Sequence, residues 1–248
     1  MKIFTIWHKE LISYFSSPMA YVIISIFTIL SGYFFYTDVL YFNLYNLSQT
    51  SLTEGLWVQF FNDLRYVLII VVPLLTMRVF SEEKKQHTLE MLLSYPVRTS
   101  ELVFGKLAAC MSFFILLILL TLCYPLVLST IWTVELGPLA ASYLGFILLG
   151  FLFVSSGIFI SSLTENQILA AMGSYGLLLF FWFVSWNEAV ANETIMRILT
   201  EISAFNHFTN FTRGVIELKD ISYFMLLSAF FWALTLLSID KSKWGRLF

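Results

Sequence analysis

Six stretches of this chain stay apolar for about as long as a helix needs to cross a lipid bilayer, and this property excludes most other folds. A hydrocarbon core of ~30 Å takes about 20 apolar residues in a helix. The stretches fall at roughly 19–37, 57–79, 104–131, 139–162, 167–186 and 221–239. They are continuous rather than alternating, which argues against the strands of a membrane barrel. Within lipid every backbone polar group must be bonded inside its own segment. The prediction is therefore an all-α integral membrane protein with six transmembrane helices, forming one domain over residues 1–248. Composition agrees, since 59% of residues are hydrophobic, 12% are charged and the mean hydropathy is +0.83. A soluble domain carries about 25% charged residues. The third stretch is long enough to tilt or to extend past the lipid.

Orientation follows from the lysines and arginines between the spans, which favour the cytoplasmic side. With the N-terminus inside, Lys2, Lys9, Arg78, Lys84, Lys85, Arg98, Lys106, Lys241, Lys243 and Arg246 are cytoplasmic. Arg65, Arg197, Arg213 and Lys219 are then external. Both termini are expected in the cytoplasm of a bacterial cell, with the chain in the inner membrane. Residues 1–17 contain Lys2, His8, Lys9 and Glu10, so they lack the clean apolar region of a cleavable leader. Ile3, Trp7, Leu11, Tyr14 and Phe15 recur at helical spacing there, between charged residues. That pattern suits a helix lying in the membrane surface, with Trp7, Tyr14 and Phe15 at headgroup depth. An ordinary buried helix is the alternative. Cys110 and Cys123 lie in one apolar run at a spacing that fits neither a zinc site nor a short redox motif, so they read as packing residues.

Punctuation marks the helix starts. Ser51 with Glu54, and Thr164 with Gln167, have the spacing of capping boxes before the second and fifth spans. Gly137 and Pro138 mark a short external turn before the fourth. The longest external stretch is 187–220. Ile195, Ile198, Leu199 and Ile202 make one apolar helical face, then Phe205, Phe208 and Phe211 recur every third residue ahead of Arg213 and Gly214. Gly214 permits a sharp bend. A re-entrant hairpin dipping into the outer leaflet accounts for this mixture, and a helix lying flat on the surface is the other solution. Asp63 and Arg65 sit near the outer end of the second span, where they can snorkel to the interface.

Catalytic signatures are absent from the sequence. It contains no H-E-x-x-H, no G-x-S-x-G and no G-x-x-x-x-G-K-[ST] phosphate loop. Gly105-Lys106 lacks the upstream glycine and following hydroxyl of such a loop. ATP hydrolysis by this chain is not expected, nor is any cofactor or metal. His8 and His87 fall inside and His207 outside, so the histidines do not share a metal. The net charge of −2 excludes a nucleic-acid binder driven by overall positive charge.

The exception to the apolar pattern is the segment RVFSEEKKQHTLEMLLSYPVRTSELVFGK, residues 78–106, in which ten of 29 residues are Arg, Lys, His or Glu. Ser81 can cap a helix whose first turn holds Glu82 and Glu83, where the helix dipole favours negative charge. Leu89, Leu92 and Leu93 give an apolar edge, with Met91 beside it. Pro96 stops the helix and Ser100 can cap the next. A solvated positive-inside loop would not require this register. An amphipathic helix in the cytosol suits a docking surface for a partner.

These residues resemble the region between the second and third spans of ABC-2 type transporter permeases. The family pattern is approximately E-[KR]-x-x-G-T-L-E-x-L-L-x-x-P-[VI]-x-x-x-E-x-[VI]-x-G-K. Glu83, Lys84, Thr88, Leu89, Glu90, Leu92, Leu93, Pro96, Glu101, Gly105 and Lys106 match it, and His87 stands where glycine is usual. WHKELISYFSSPMAYVIISIF resembles the family's N-terminal amphipathic elbow helix and first span, and NFTRGVIELKDISYF the segment before the last. In detail the chain is most similar to GldF-like gliding-motility and NosY-like permeases. The resemblance implies a permease subunit of an exporter, beside a second permease chain, the same or homologous, in contact with membrane lipid. An additional extracytoplasmic-domain subunit also belongs to this picture. A separate ATP-binding subunit would supply the energy by docking on a coupling helix formed by Glu82, Glu83, Lys84, Thr88, Leu89, Glu90, Leu92 and Leu93. A membrane scaffold that binds cytosolic proteins through the same loop and moves nothing is the competing function.

Overall fold

The computed structural model describes residues 2–44, 53–94, 98–186 and 201–244, and among these residues no strand occurs. Ser51, Pro96, Ile195, Ile198 and Leu199 lie outside the described residues, as does the side chain of Leu93. The helices in chain order are α1 (Lys2–Ser16), α2 (Pro18–Leu44), α3 (Val58–Thr76), α4 (Ser81–Lys85), α5 (Thr88–Ser94) and α6 (Thr99–Thr121). They continue with α7 (Cys123–Leu128), α8 (Leu136–Leu163), α9 (Gln167–Trp186), α10 (Ala204–Thr212) and α11 (Leu218–Trp244). A π-helical turn, Thr53–Trp57, leads into α3.

Among the described residues, six helices are long and apolar enough to cross a membrane: Pro18–Leu44, Gly55–Lys85, Thr99–Leu128, Leu136–Leu163, Gln167–Val184 and Leu218–Lys241. Each contains most of one predicted span. Helices extend further than the apolar runs where their ends are polar, because backbone hydrogen bonding continues beyond the lipid-matching stretch. The second and fourth spans are the most buried and the others surround them. The sequence of α8 explains its central place. Ala141, Ser142, Gly145, Gly150, Ser155, Ser156, Gly157, Ser161 and Ser162 keep its surface low, so neighbouring helices approach closely. Phenylalanines fill the gaps, as where Phe61 meets Tyr143 and Phe146.

Three helix starts differ from expectation. Before α9 the cap is Asn166, whose side chain accepts from the Ile168 N–H at 2.9 Å. Thr164 instead accepts from the Asn166 N–H at 3.1 Å, forming a turn one step earlier. Before α6 the capping position belongs to Arg98, whose N–H donates to the Glu101 carboxylate at 3.1 Å, so Ser100 lies within the first turn. Gly137 and Pro138 lie in the first turn of α8, where proline's missing N–H costs nothing. The third span breaks at Leu122 because Pro125 has no N–H for the Thr121 carbonyl. The Tyr143 hydroxyl of α8 donates to that carbonyl at 3.3 Å.

Candidate functional site at the charged end of the bundle

The charged segment begins where α3 ends. Met77–Phe80 form a turn that leaves backbone groups outside the helical ladder. One α8 hydroxyl satisfies three of them. Ser161 Oγ accepts from the N–H groups of Phe80 at 3.1 Å and Ser81 at 3.2 Å, and donates to the Met77 carbonyl at 3.1 Å. A hydroxyl has one donor and two acceptor sites, so Ser161 is saturated. Ser81 is fully buried and donates to the same Met77 carbonyl. It therefore lies inside α4 rather than capping it, and Phe80 takes the cap position. Lys84 Nζ donates to the Ser162 carbonyl at 2.5 Å. This places a cation at the C-terminal end of α8, where the helix dipole favours it. Ser238 of α11 donates to the same carbonyl at 3.1 Å.

Lys106 lies beneath this turn. Its ammonium donates to Glu10 Oε1 at 3.0 Å, Glu83 Oε1 at 2.8 Å and the Val79 carbonyl at 3.0 Å. All three donors are matched, and its side chain is only 1% exposed. The group binds α1, α4 and α6 together. In the sequence Lys106 counted as one of the loop's positive charges and as a match to the family pattern, and its partners Glu10 and Glu83 carried no sign of the pairing. The available signal was a lysine within the apolar run LVFGKLAAC, which in a buried setting requires carboxylates. Glu83 is thus turned inward.

α5 follows a left-handed residue. His87 has φ +56°, the conformation that glycine adopts without strain. Histidine holds this left-handed position, and His87 Nδ1 lies 3.6 Å from Glu90 Oε1. Thr88 Oγ1 donates to the Glu83 carbonyl at 3.3 Å. Leu89 is buried within the chain, Leu92 is half-buried and Met91 is 69% exposed. Glu82, Glu83, Lys84 and Thr88 are half-buried. Lys85, Gln86, His87, Glu90 and Met91 form the outward surface. Of the seven described side chains expected to meet a partner, Glu90 lies fully on that surface.

α1 packs along α6. Gly105 makes this possible, since a Cβ there would lie 2.8 Å from Ile6 Cγ2. Trp7 Nε1 donates to Ser112 Oγ at 2.9 Å. The Tyr14 hydroxyl lies 3.0 Å from Cys110 Sγ and 3.3 Å from the Leu75 carbonyl. Burial pushes the Tyr14 phenol well above its usual range, so it stays neutral. Leu11 is half-buried, while Phe15, 5.8 Å from the Phe113 ring, is exposed together with Phe4 and Ile12. Trp7 and Tyr14 are thus engaged with neighbouring helices, and the exposed apolar face consists of other residues.

At the opposite end of α8 lies α10. Ser203 caps it, accepting from the Asn206 N–H at 3.3 Å. Phe205, Phe208 and Phe211 are all buried. Phe205 lies 6.1 Å from Phe153 and Phe208 6.3 Å from Phe146, and Phe211 fills the notch at Gly145. Arg213 is exposed, and Gly214 turns at φ +81° beside Pro138. The Arg65 guanidinium lies 4.9 Å from the Phe205 ring and 5.0 Å from the Tyr66 ring, and donates to the Tyr66 hydroxyl at 3.1 Å. A polar cluster absent from the sequence-based expectations holds α10 to α11. His207 Nδ1 is 2.5 Å from Asp220 Oδ1, Asn210 donates to Asp220 Oδ2 at 2.9 Å, and the His207 ring stacks on Tyr223 at 4.2 Å. α8 therefore joins two specialised ends, with Ser161 and Gly145 sixteen positions, or roughly 24 Å of helix, apart. Among the described residues no group of His, Cys, Asp or Glu could hold a metal ion.

Comparison with known proteins agrees with this architecture. The sequence is 30% identical over 162 residues to YbhR of Escherichia coli K12, named as a probable multidrug ABC transporter permease, and matches the protein of that name from Escherichia coli O157:H7 to the same degree. The match covers 63% of this chain and 42% of each relative, so the chain spans less than half the length of the curated relatives it matches. Residues 4–239 match the family described as ABC-2 family transporter protein, and the chain belongs to that family.

Proposed function

We propose that this chain is the permease subunit of an ABC-2 exporter, and that a separate ATP-binding subunit drives it from the cytoplasm. The observation that carries this is the construction of the charged end. α4 and α5 present Lys85, His87, Glu90 and Met91 outward, while Ser161, Lys84 and Lys106 fix the same segment to α8, α1 and α6. A surface held to three helices transmits a push from a docked protein instead of absorbing it locally. In this mechanism ATP-driven closure of the partner displaces α4, and α8 carries the displacement along its length to α10. Both chain ends are cytoplasmic in the bacterial inner membrane, and a second permease chain completes the pathway.

α10 acts as a re-entrant lid at the external end. Its contacts run down α8 in order, from Gly214 at Pro138, through Phe211 at Gly145 and Phe208 at Phe146, to Phe205 at Phe153. Phe153 lies roughly 25 Å along the helix from Leu136, deeper than a helix lying flat on the membrane would reach. α1 serves as an elbow that rests its Phe4, Ile12 and Phe15 face on lipid. The cargo proposed is of the drug class named for the YbhR relatives. A GldF-like or NosY-like specialisation, with an added extracytoplasmic subunit, rests on the sequence resemblance.

The test is capture of the ATP-binding subunit encoded beside this chain, using wild type and the Met91→Asp and Leu92→Asp variants, with ATP turnover in membranes. Interface energy concentrates in a few apolar anchors, each worth ~2 kcal/mol or more. Met91→Asp is expected to weaken capture at least tenfold, and Leu92→Asp to a lesser degree because that side chain is half-buried. Wild-type capture and transport by both variants would remove the coupling role. Capture without cargo-dependent ATP turnover would favour a scaffold.

A further inference from the structure

We infer that His207 and Asp220 form a buried proton-binding site that fastens α10 to α11, and that loss of its proton releases α10. Both ring nitrogens of His207 face oxygen atoms. Nδ1 lies 2.5 Å from Asp220 Oδ1, and Nε2 lies 3.0 Å from the Glu201 carbonyl oxygen. A neutral imidazole has one N–H and one acceptor nitrogen, whereas the protonated ring has two donors. The Glu201 carbonyl can only accept. Without a hydrogen on Nε2, two acceptors would face each other at 3.0 Å. The contact at Nδ1 then requires a second hydrogen, held by the ring as imidazolium or by the carboxyl group. In either arrangement the pair carries one proton more than a neutral imidazole beside a carboxylate. The His207 ring also stacks on Tyr223 with centroids 4.2 Å apart, and an aromatic face favours a cation.

Burial gives this proton its leverage. The His207 and Asp220 side chains are 6% and 1% exposed, and a buried charge left without its partner is costly. When the proton leaves, the ring can donate to only one of its two oxygens, and the Asp220 carboxylate keeps only the neutral Asn210 donor at 2.9 Å. Neighbouring charges do not replace it. Lys219 pairs with Glu201 at 2.6 Å, and both side chains are more than half exposed. Arg213 and Glu217 are exposed. Arg65 of α3 lies over the Phe205 and Tyr66 rings. Helices α8 and α9 contain no charged residue, and their Tyr143 and Tyr175 hydroxyls donate to the Thr121 and Ile70 carbonyls. The contacts of the pair join Glu201 ahead of α10, α10 itself and α11, so they hold the turn at Gly214 closed. A proton carried by the closed form and absent from the opened one makes opening tenfold easier for each unit that the pH rises. The fastening is therefore complete at low pH and is lost as the pH increases. A consequence for transport rests on the reading of α10 as an external lid, but the fastening itself does not.

The test is hydrogen–deuterium exchange of the purified full-length protein in detergent, read by mass spectrometry on peptides from α10, with peptides from α8 as the internal reference. The pH runs from about 5 to 8, the range in which imidazoles usually change charge. Each rate is divided by that of the same peptide free in solution at the same pH, which removes the chemical pH dependence of exchange. Protection of α10 relative to α8 is expected to fall at least tenfold across this range. His207→Gln combined with Asp220→Asn leaves no ionisable group in the pair and no unpaired buried charge. Its α10 is expected to be less protected than wild type at pH 5 and to show no pH dependence. A flat profile in wild type would overturn the assignment, and that measurement needs no variant to fold. A wild-type slope that persists in the double variant would overturn it as well. Exchange reads the fastening without transport or a docked ATP-binding subunit, so this inference and the exporter reading fail separately.

Discussion

Replacing Lys106 by Met tests the internal organisation of the charged end most directly. Methionine keeps the length and apolar volume of the stem and removes the ammonium. Three acceptors lose their donor together: Glu10 Oε1, Glu83 Oε1 and the Val79 carbonyl. The two carboxylates then face each other across a space that Lys106, 1% exposed, had filled. Removing one partner of a buried ion pair costs about 3–5 kcal/mol. The lower end applies here, since Glu10 and Glu83 retain 16% and 15% exposure and can take up water or a proton. The expected loss of about 3 kcal/mol corresponds to a change of roughly a hundredfold in the folding equilibrium. The measurement is reversible unfolding of the detergent-solubilised chain by SDS titration. Restoring neutrality should recover the loss, because replacing a whole buried charge cluster with neutral groups is often without net cost. Lys106→Met with Glu10→Gln and Glu83→Gln is therefore expected within ~1 kcal/mol of wild type. A loss below ~1 kcal/mol for Lys106→Met alone, or a triple variant no more stable than the single one, would refute the cluster as an organising element.

Three further outcomes follow from the geometry. His87→Gly should raise stability by about 0.5–1 kcal/mol, since relief of the left-handed backbone exceeds glycine's entropic cost, while His87→Val should lower it; thermal unfolding reads both. Gly214→Val places a branched side chain at φ +81° with Cβ about 2.9 Å from Pro138 Cβ, so it should cost ~2 kcal/mol or more and impair transport. Unchanged stability and transport would argue against α10 as a lid. With Cys110 and Cys123 replaced by Ala, Val215→Cys should react with an impermeant thiol reagent on intact cells and Gln86→Cys should not; the reverse pattern would invert the proposed orientation.

The sequence by itself determined the membrane-spanning helices, their order and the segment that carries the charge. Length and continuity of apolar runs are properties of neighbouring residues, and lipid leaves the backbone little alternative to a helix. The position of Phe205, Phe208 and Phe211 could also be read, since their recurrence every third residue places them on one side of α10. Caps were less legible. Thr164 and Asn166 lie two residues apart and both can cap, and the structure gives the Ile168 N–H to Asn166 and the Asn166 N–H to Thr164. Tertiary structure alone determined which charges face inward. Glu10 and Lys106 are 96 positions apart and His207 and Asp220 are thirteen, and no local pattern marks either pair. Ser161 looked like one more small residue in an apolar run, until the fold placed it beneath the turn after α3. Glu82, Glu83 and Lys84 are consecutive and equally polar, yet Glu83 binds Lys106, Lys84 binds the end of α8 and Glu82 borders a cleft between α1, α2, α3 and α4. The helix turns about 100° per residue, so neighbouring side chains point in different directions. What each one meets there depends on helices that arrive from elsewhere in the chain.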